Sequence, residues 1–221
     1  MLVFSNLATS LDGKIAAKGR EQFHLGTRAD RKQMQVLRKK ADVIVMGAST
    51  LRTYKAFCPV LGTKKQPANA IISSSLEGIS PEWPFFKNPS HRRILFITQP
   101  LSLARRKAFE KTSEIIELRA PQKSNQAHAI AEQVLAALDD RGMTQVLVEG
   151  GGGVMWDFAK HNLIDEYHVT LTPRIIGGTE APTLVDGPGF LPKEVLNLKL
   201  THCRRLGDEL YLTYRKTNRR G

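Results

Sequence analysis

The chain has 221 residues, enough for one sizeable hydrophobic core and short for two, and its 41% hydrophobic and 24% charged content excludes a disordered or fibrous class. No apolar run reaches bilayer length, and Met1-Leu2-Val3-Phe4 lacks the basic start of a secretory signal, so a cytoplasmic location is expected. The 33 Lys and Arg against 21 Asp and Glu give a formal charge of +12, a field that draws in anions, whether nucleic acid or small phosphorylated ligands.

In chain order, the alternation of Val3-Phe4-Ser5-Asn6-Leu7-Ala8-Thr9 predicts a strand ending at the Asp12-Gly13 turn. Thr27 is placed to cap a helix in which Met34, Leu37 and Ala41 recur at helical spacing. Residues 43–46 form a continuous apolar run that stops at Gly47, the pattern of a strand covered on both faces. Residues 70–73, 94–97 and 115–118 read as further strands, with a helix over 102–111. The Ala- and Leu-rich stretch 127–138 is the clearest helix, closed by Gly142 and followed by a strand at 145–148. A helix through Val154, Met155 and Phe158 and a strand around 167–171 come next; two alternating segments, 198–203 and 209–214, then flank the hairpin signal Gly207-Asp208. Residues 52–69 and 77–91 are expected to be loops. The pattern predicts a three-layer α/β domain, mostly parallel, with antiparallel pairing among the C-terminal strands. Residues 1–215 are taken as a single domain and 216–221 as a basic tail.

The stretch Glu149-Gly150-Gly151-Gly152-Gly153 falls where a buried strand hands over to a helix. Glycine leaves main-chain amides uncovered, and the first amides of a helix have no internal partner, so the junction suits a pyrophosphate at the carboxyl end of a parallel sheet. Gly47, Ser49 and Thr50 form a second junction of the same character. Close helix–strand packing is the competing reading of these glycines. The run matches neither Gly-x-Gly-x-x-Gly after the first strand nor the nucleotide-triphosphate loop. The six histidines show no metal-ligand spacing, no Gly-x-Ser-x-Gly elbow is present, and Cys58 and Cys203 read as free, inert thiols, so redox chemistry by a borrowed cofactor suits the chain. The basic clusters, among them Arg38-Lys39-Lys40, Arg204-Arg205 and Arg219-Arg220, are scattered without an aromatic ladder, which makes nucleic-acid contact the minority reading.

Three stretches in register, Ser10-Leu11-Asp12-Gly13-Lys14-Ile15-Ala16, Leu37-Arg38 through Thr50, and Val148-Glu149-Gly150 through Gly178, resemble the pyrimidine reductases of riboflavin biosynthesis. That resemblance implies a dihydrofolate-reductase-like fold and NADPH-dependent reduction of the ribosylamino side chain of a diaminopyrimidinone 5′-phosphate, with hydride passing to the anomeric carbon of an open-chain imine. It places the pyrimidine against Lys14 and Glu149, the expected catalytic pair, and the substrate phosphate on Arg38. The cofactor phosphates fall to Gly47, Ser49, Thr50, Gly150, Gly151, Gly152 and Gly153, and the adenosine 2′-phosphate to Ser73 and Ser74. The chain departs from the family where an Asp-Asp-Pro or Asp-Asn-Pro stretch is replaced by Thr53-Tyr54-Lys55-Ala56-Phe57, and the phosphate-binding arginine that follows it in the family is missing from the loop. Lys55, Lys64 or Lys65 is then the base available to a substrate phosphate, Lys55 being the residue assigned to it. A stand-alone reductase without a deaminase domain, and a homodimer, are expected by the same analogy. Reduction of a pterin or other small heterocycle, or a non-catalytic nucleic-acid-binding role on the same fold, are the alternatives.

Overall fold

The apolar runs find one another in a single sheet. The computed structural model describes residues 1–20, 23–119 and 129–217. Its strands are β1 (Leu2–Thr9), β2 (Val43–Gly47), β3 (Ala68–Ser73), β4 (Arg93–Ile97), β5 (Glu114–Glu117), β6 (Gln145–Val148), β7 (Glu166–Leu171), β8 (Leu198–Leu206) and β9 (Glu209–Lys216). They lie in the order β5-β4-β3-β2-β6-β1-β7-β9-β8. All neighbours from β5 to β7 pair in parallel, while β9 runs antiparallel to both β7 and β8.

Alternation of side chains assigns each strand to two cores. Val43 and Val45 of β2 face one, with Val134 and Leu138 of α5 (Ile130–Asp139) and Met155 and Phe158 of α6 (Gly152–Lys160). Ile44 and Met46 face the other, with Leu37 of α1 (Arg28–Lys40), Leu51 of α2 (Ala48–Tyr54), Phe85 and Phe86 of α3 (Pro84–Lys87) and Phe109 of α4 (Leu103–Glu110). Every residue of β2 is buried, as a parallel strand covered on both faces requires. The expected three layers are therefore present: helices, mostly parallel sheet, helices.

Local signals set several boundaries. Thr27 caps α1 through its hydroxyl, which accepts from the Ala29 amide at 3.2 Å. Ser102 caps α4 in the same way from the Arg105 amide. Two expectations need correction. The loop expected from residue 52 starts later, because α2 continues to Tyr54 and ends only where Lys55 turns left-handed, with φ of 54°. The loop expected over 77–91 contains α3, where Pro84 presets the first turn and Phe85 and Phe86 drop into the core; polar flanks hide that short apolar pair in the sequence. Residues 127 and 128 of the helix expected at 127–138, and Arg219 and Arg220 of the basic tail, lie outside the described residues. Lys216, assigned to that tail, is the last residue of β9, with its ammonium 2.6 Å from Asp165 Oδ1.

Strand β8 is exposed along its whole length and has no neighbour on its outer side among the described residues. Among those residues no helix is long and apolar enough to cross a membrane.

Candidate active site

The parallel strands β1, β2, β3 and β6 all point their carboxyl ends at one cleft of about 1190 Å³. In α/β sheets this is the end where loops diverge and leave room for a ligand. Its walls include α1 from Asp30 to Arg38, the first turns of α2 and α6, the side chains of Tyr54, Phe57 and Cys58, and Pro182 and Asp186.

The glycine turn between β6 and α6 answers to several demands at once. Gly151 is the N-cap of α6 with φ of 57°, a conformation that L side chains rarely adopt. A Cβ on Gly150 would stand 2.8 Å from Val154 Cβ, and one on Gly152 would reach Thr183 O at 2.6 Å and overlap the Asp186 carboxylate. Gly153 differs: a Cβ there would meet nothing within 4 Å. The packing reading thus accounts for Gly150 and Gly152, and conformation accounts for Gly151. The amides of Gly151, Gly152 and Gly153 have no hydrogen-bond partner among the described residues, as the first turn of a helix dictates, and these three glycines line the cleft. Gly152 is also clasped from the far side, because its carbonyl accepts from the Asp186 amide at 3.1 Å while Asp186 Oδ1 accepts from Thr183 N and Oγ1 at 2.8 and 2.7 Å.

At the base of the cleft lies an ion pair. Arg38, in the last turn of α1, donates Nε to Glu149 Oε1 at 2.8 Å and Nη2 to Glu149 Oε2 at 2.6 Å. Both side chains are about nine-tenths buried. Burial opposes the Arg38 charge, but Glu149 beside it more than offsets this and holds the guanidinium protonated. Removing one partner of such a pair would strand the other charge, at a cost of about 3–5 kcal/mol. Nη1 of Arg38 has no hydrogen-bond partner among the described residues. The Cys58 thiol reaches Glu149 as well; burial, then the Glu149 charge, push it far above its ordinary value and keep it neutral. Tyr54, next to Cys58, is also pushed up by burial.

Two further carboxylates stand near the entrance of α1. Glu209 of β9 accepts from Thr27 N at 2.7 Å, Thr27 Oγ1 at 2.7 Å and Tyr211 Oη at 2.5 Å. Burial alone would raise it, but these hydrogen bonds hold it below the usual carboxylate range. Asp30 lines the cleft and is pushed up by burial, a shift opposed by the neighbouring Thr170 and reinforced by the Glu209 charge.

The fold brings Glu149, Arg38, Gly47, Ser49, Thr50, Ser73, Ser74, Gly151, Gly152 and Gly153 to this one cleft. Gly150 packs behind it against Val154. Lys14 and Lys55 are not on its wall. The Lys14 ammonium donates to Ala181 O at 3.0 Å, and Lys55 Nζ lies 5.5 Å from the Trp83 ring centroid. Asp12 shapes the turn that carries Lys14: its carboxylate accepts from Ile176 N and Gly177 N at 3.0 and 2.6 Å. The Ser10 hydroxyl and these two amides pull the carboxyl to about 2. Sequence reasoning does not single out Asp30, Cys58 or Asp186 as wall residues. Asp186 follows a Pro-Thr-Leu-Val stretch with no regular period, and Asp30 is one charge among several on α1, so neither carries a signal of its own. Among the described residues no group of three His, Cys, Asp or Glu could hold a metal ion.

Comparison with known proteins fits this architecture. Residues 1–212 match the RibD C-terminal domain family. The chain is 31% identical to riboflavin biosynthesis protein RibD of Bacillus amyloliquefaciens over 93% of its own length, spanning 55% of that relative. It is 25% identical to a 2,5-diamino-6-ribosylamino-4(3H)-pyrimidinone 5′-phosphate reductase of Archaeoglobus fulgidus, covering 96% of this chain and 97% of the relative. A pyrimidine reductase-like protein from Corynebacterium diphtheriae superposes with a TM-score of 0.80 at 22% identity, covering 98% of this chain and 92% of the other. The fold extends to a dihydrofolate reductase from Enterococcus faecalis, at a TM-score of 0.53 and 15% identity over 98% and 97% of the two chains.

Proposed function

The chain belongs to the RibD C-terminal domain family, and on that premise we propose that it is an NADPH-dependent reductase that converts the ribosylamino side chain of a diaminopyrimidinone 5′-phosphate into the ribitylamino form, a step of riboflavin biosynthesis. One observation carries the reading: a turn of unpartnered amides and a buried Arg38–Glu149 pair open into the same cleft. The first suits a dinucleotide's phosphates, the second a polar heterocycle. When bound, NADPH supplies the hydride that reduces the anomeric carbon.

The protein's part is to hold both molecules. Gly151, Gly152 and Gly153 offer main-chain donors to the diphosphate, with the hydroxyls of Ser49 and Thr50 facing from α2 and Gly47 allowing the two turns to approach. Ser73 and Ser74, at the end of β3, are the contacts assigned to the 2′-phosphate and so to the preference for NADPH over NADH. Gly150 acts through packing. Glu149 accepts from the amino and N–H groups of the pyrimidine. Arg38 fixes that carboxylate and keeps Nη1 for the substrate phosphate. Lys14 reaches the ring carbonyl by exchanging its bond to Ala181 O, an exchange of about 1 kcal/mol. Lys55 serves the outer end of a phosphate at the rim. The open edge of β8, with Leu198, Leu200 and Leu206 exposed, supports a homodimer.

The experiment is NADPH oxidation in the presence of the aminopyrimidine phosphate by the wild type and by Glu149→Gln, with melting temperatures recorded for both. The wild type is expected to turn over, and the variant to lose about 10- to 100-fold in kcat/KM, the worth of a charge-assisted hydrogen bond. Wild-type protein that ignores this substrate but is stabilised by RNA in a salt-dependent way would replace the reading with nucleic-acid binding.

A further inference from the structure

The hydride needs a proton to accompany it, and in and around the cleft stand several groups that could carry one. Most are committed. Both oxygens of Glu149 accept from Arg38, and their remaining acceptor capacity is assigned to the pyrimidine. Glu209 accepts three hydrogen bonds and is kept ionised by them. The Lys14 ammonium is bound to Ala181 O off the cleft wall. Cys58 and Tyr54 are both pushed upward from values that already lie above neutrality, which leaves them poor acids.

Asp30 is placed differently. It stands in the first turn of α1, on the cleft wall, beside Thr170 of β7 and with no ion pair among the described residues. The charged groups around it are Arg31 on its own helix, Glu209 from β9 and Glu149 at the end of β6, with the acids outnumbering the base. We infer that Asp30 is the proton donor of the reductase site, on the wall of the cleft that it shares with Glu149. This inference rests on the reductase reading above. Burial and the two neighbouring carboxylates favour the protonated form of Asp30 while Glu209 is driven the other way, the separation of roles expected where one carboxyl must donate and another must stay charged.

In the reductive step the imine carbon of the opened sugar takes a hydride from the dihydronicotinamide, which is oxidised by two electrons. The C=N π bond opens toward nitrogen, which takes the proton from Asp30. A C–H and an N–H bond have formed, the imine is reduced to the amine, and Asp30 is left as a carboxylate that recovers its proton from solvent.

The test compares wild type, Asp30→Asn and Asp30→Glu by three readouts: NADPH affinity from fluorescence titration, the KM and kcat of NADPH oxidation with the aminopyrimidine phosphate, and the pH profile of kcat. Asp30→Asn is expected to bind NADPH within about twofold of wild type and hold KM within about threefold, but to lose about 100-fold or more in kcat, the range of a missing general acid. The alkaline limb of the wild-type profile, where the donor loses its proton, should be absent in Asp30→Asn and should reappear, displaced, in Asp30→Glu. An Asn variant that keeps kcat within about threefold and retains the same limb overturns the assignment. So does a Glu variant without any limb. Wild-type protein inert toward this substrate brings down the reductase reading itself, an outcome distinct from an active enzyme indifferent to Asp30.

Discussion

The two glycine-bearing turns that meet in the cleft are held by different means. Gly47, between β2 and α2, has an extended backbone open to any residue, with φ of −85°, and what it needs is room: its Cβ would stand 3.0 Å from Val154 Cγ2. Gly151, between β6 and α6, needs a backbone conformation, and its neighbours Gly150 and Gly152 need room against Val154, Thr183 and Asp186. Val154 is the wedge common to both, packed against the positions of Gly47 and Gly150. The difference teaches that a run of glycines is a composite. Only Gly153, with open space where its side chain would go, is left without a reason inside the protein, and it borders the cleft.

That ranking can be broken by substitution. Gly152→Ala carries the largest expected effect, because its methyl meets backbone and a clasped carboxylate that cannot both give way; a loss of about 1–3 kcal/mol in urea unfolding is expected from overpacking, and an unchanged midpoint would mean the 183–186 clasp does not bear on α6. Gly151→Ala should lose about 1–2 kcal/mol through the strain of a positive φ with an extended ψ alone, without altering the contacts of the clasp. Gly47→Ala should cost under about 1 kcal/mol, since a single valine methyl has to yield, and that cost should vanish in a Val154→Ala background if the wedge is its cause. A Gly47→Ala cost that persists there would assign Gly47 some other task.

Most of the architecture could be read from pattern. The continuous apolar runs of β2, β3, β4 and β6 declare strands covered on both faces, and the alternation around Gly207-Asp208 declares the β8–β9 hairpin, because sheet burial writes directly into residue period. Thr27 and Ser102 declare their helices through capping chemistry. Short elements are harder: α3 buries two phenylalanines within four residues, too few for a period to show. The site is legible only as a set of residue types. Arg38 and Glu149 are 111 residues apart, and no local rule says that the arginine closes on the glutamate. Cys58 joins that pair through the fold alone. Asp30 acquires its character from β7, β9 and the end of β6, all distant in sequence. Tyr54, standing where the family resemblance leads one to expect an acid, lines the cleft as a neutral group beside Cys58.

The most direct measurement follows the main-chain amides themselves. Glycine amide signals of isotope-labelled protein, recorded by two-dimensional NMR during an NADPH titration, report each nitrogen of the β6–α6 turn separately. Saturable movement of the Gly151, Gly152 and Gly153 signals, with those of Gly142 and Gly207 staying in place, is the result expected if the turn grips the cofactor's diphosphate. Binding that leaves the three signals where they were, while residues elsewhere respond, would contradict the account.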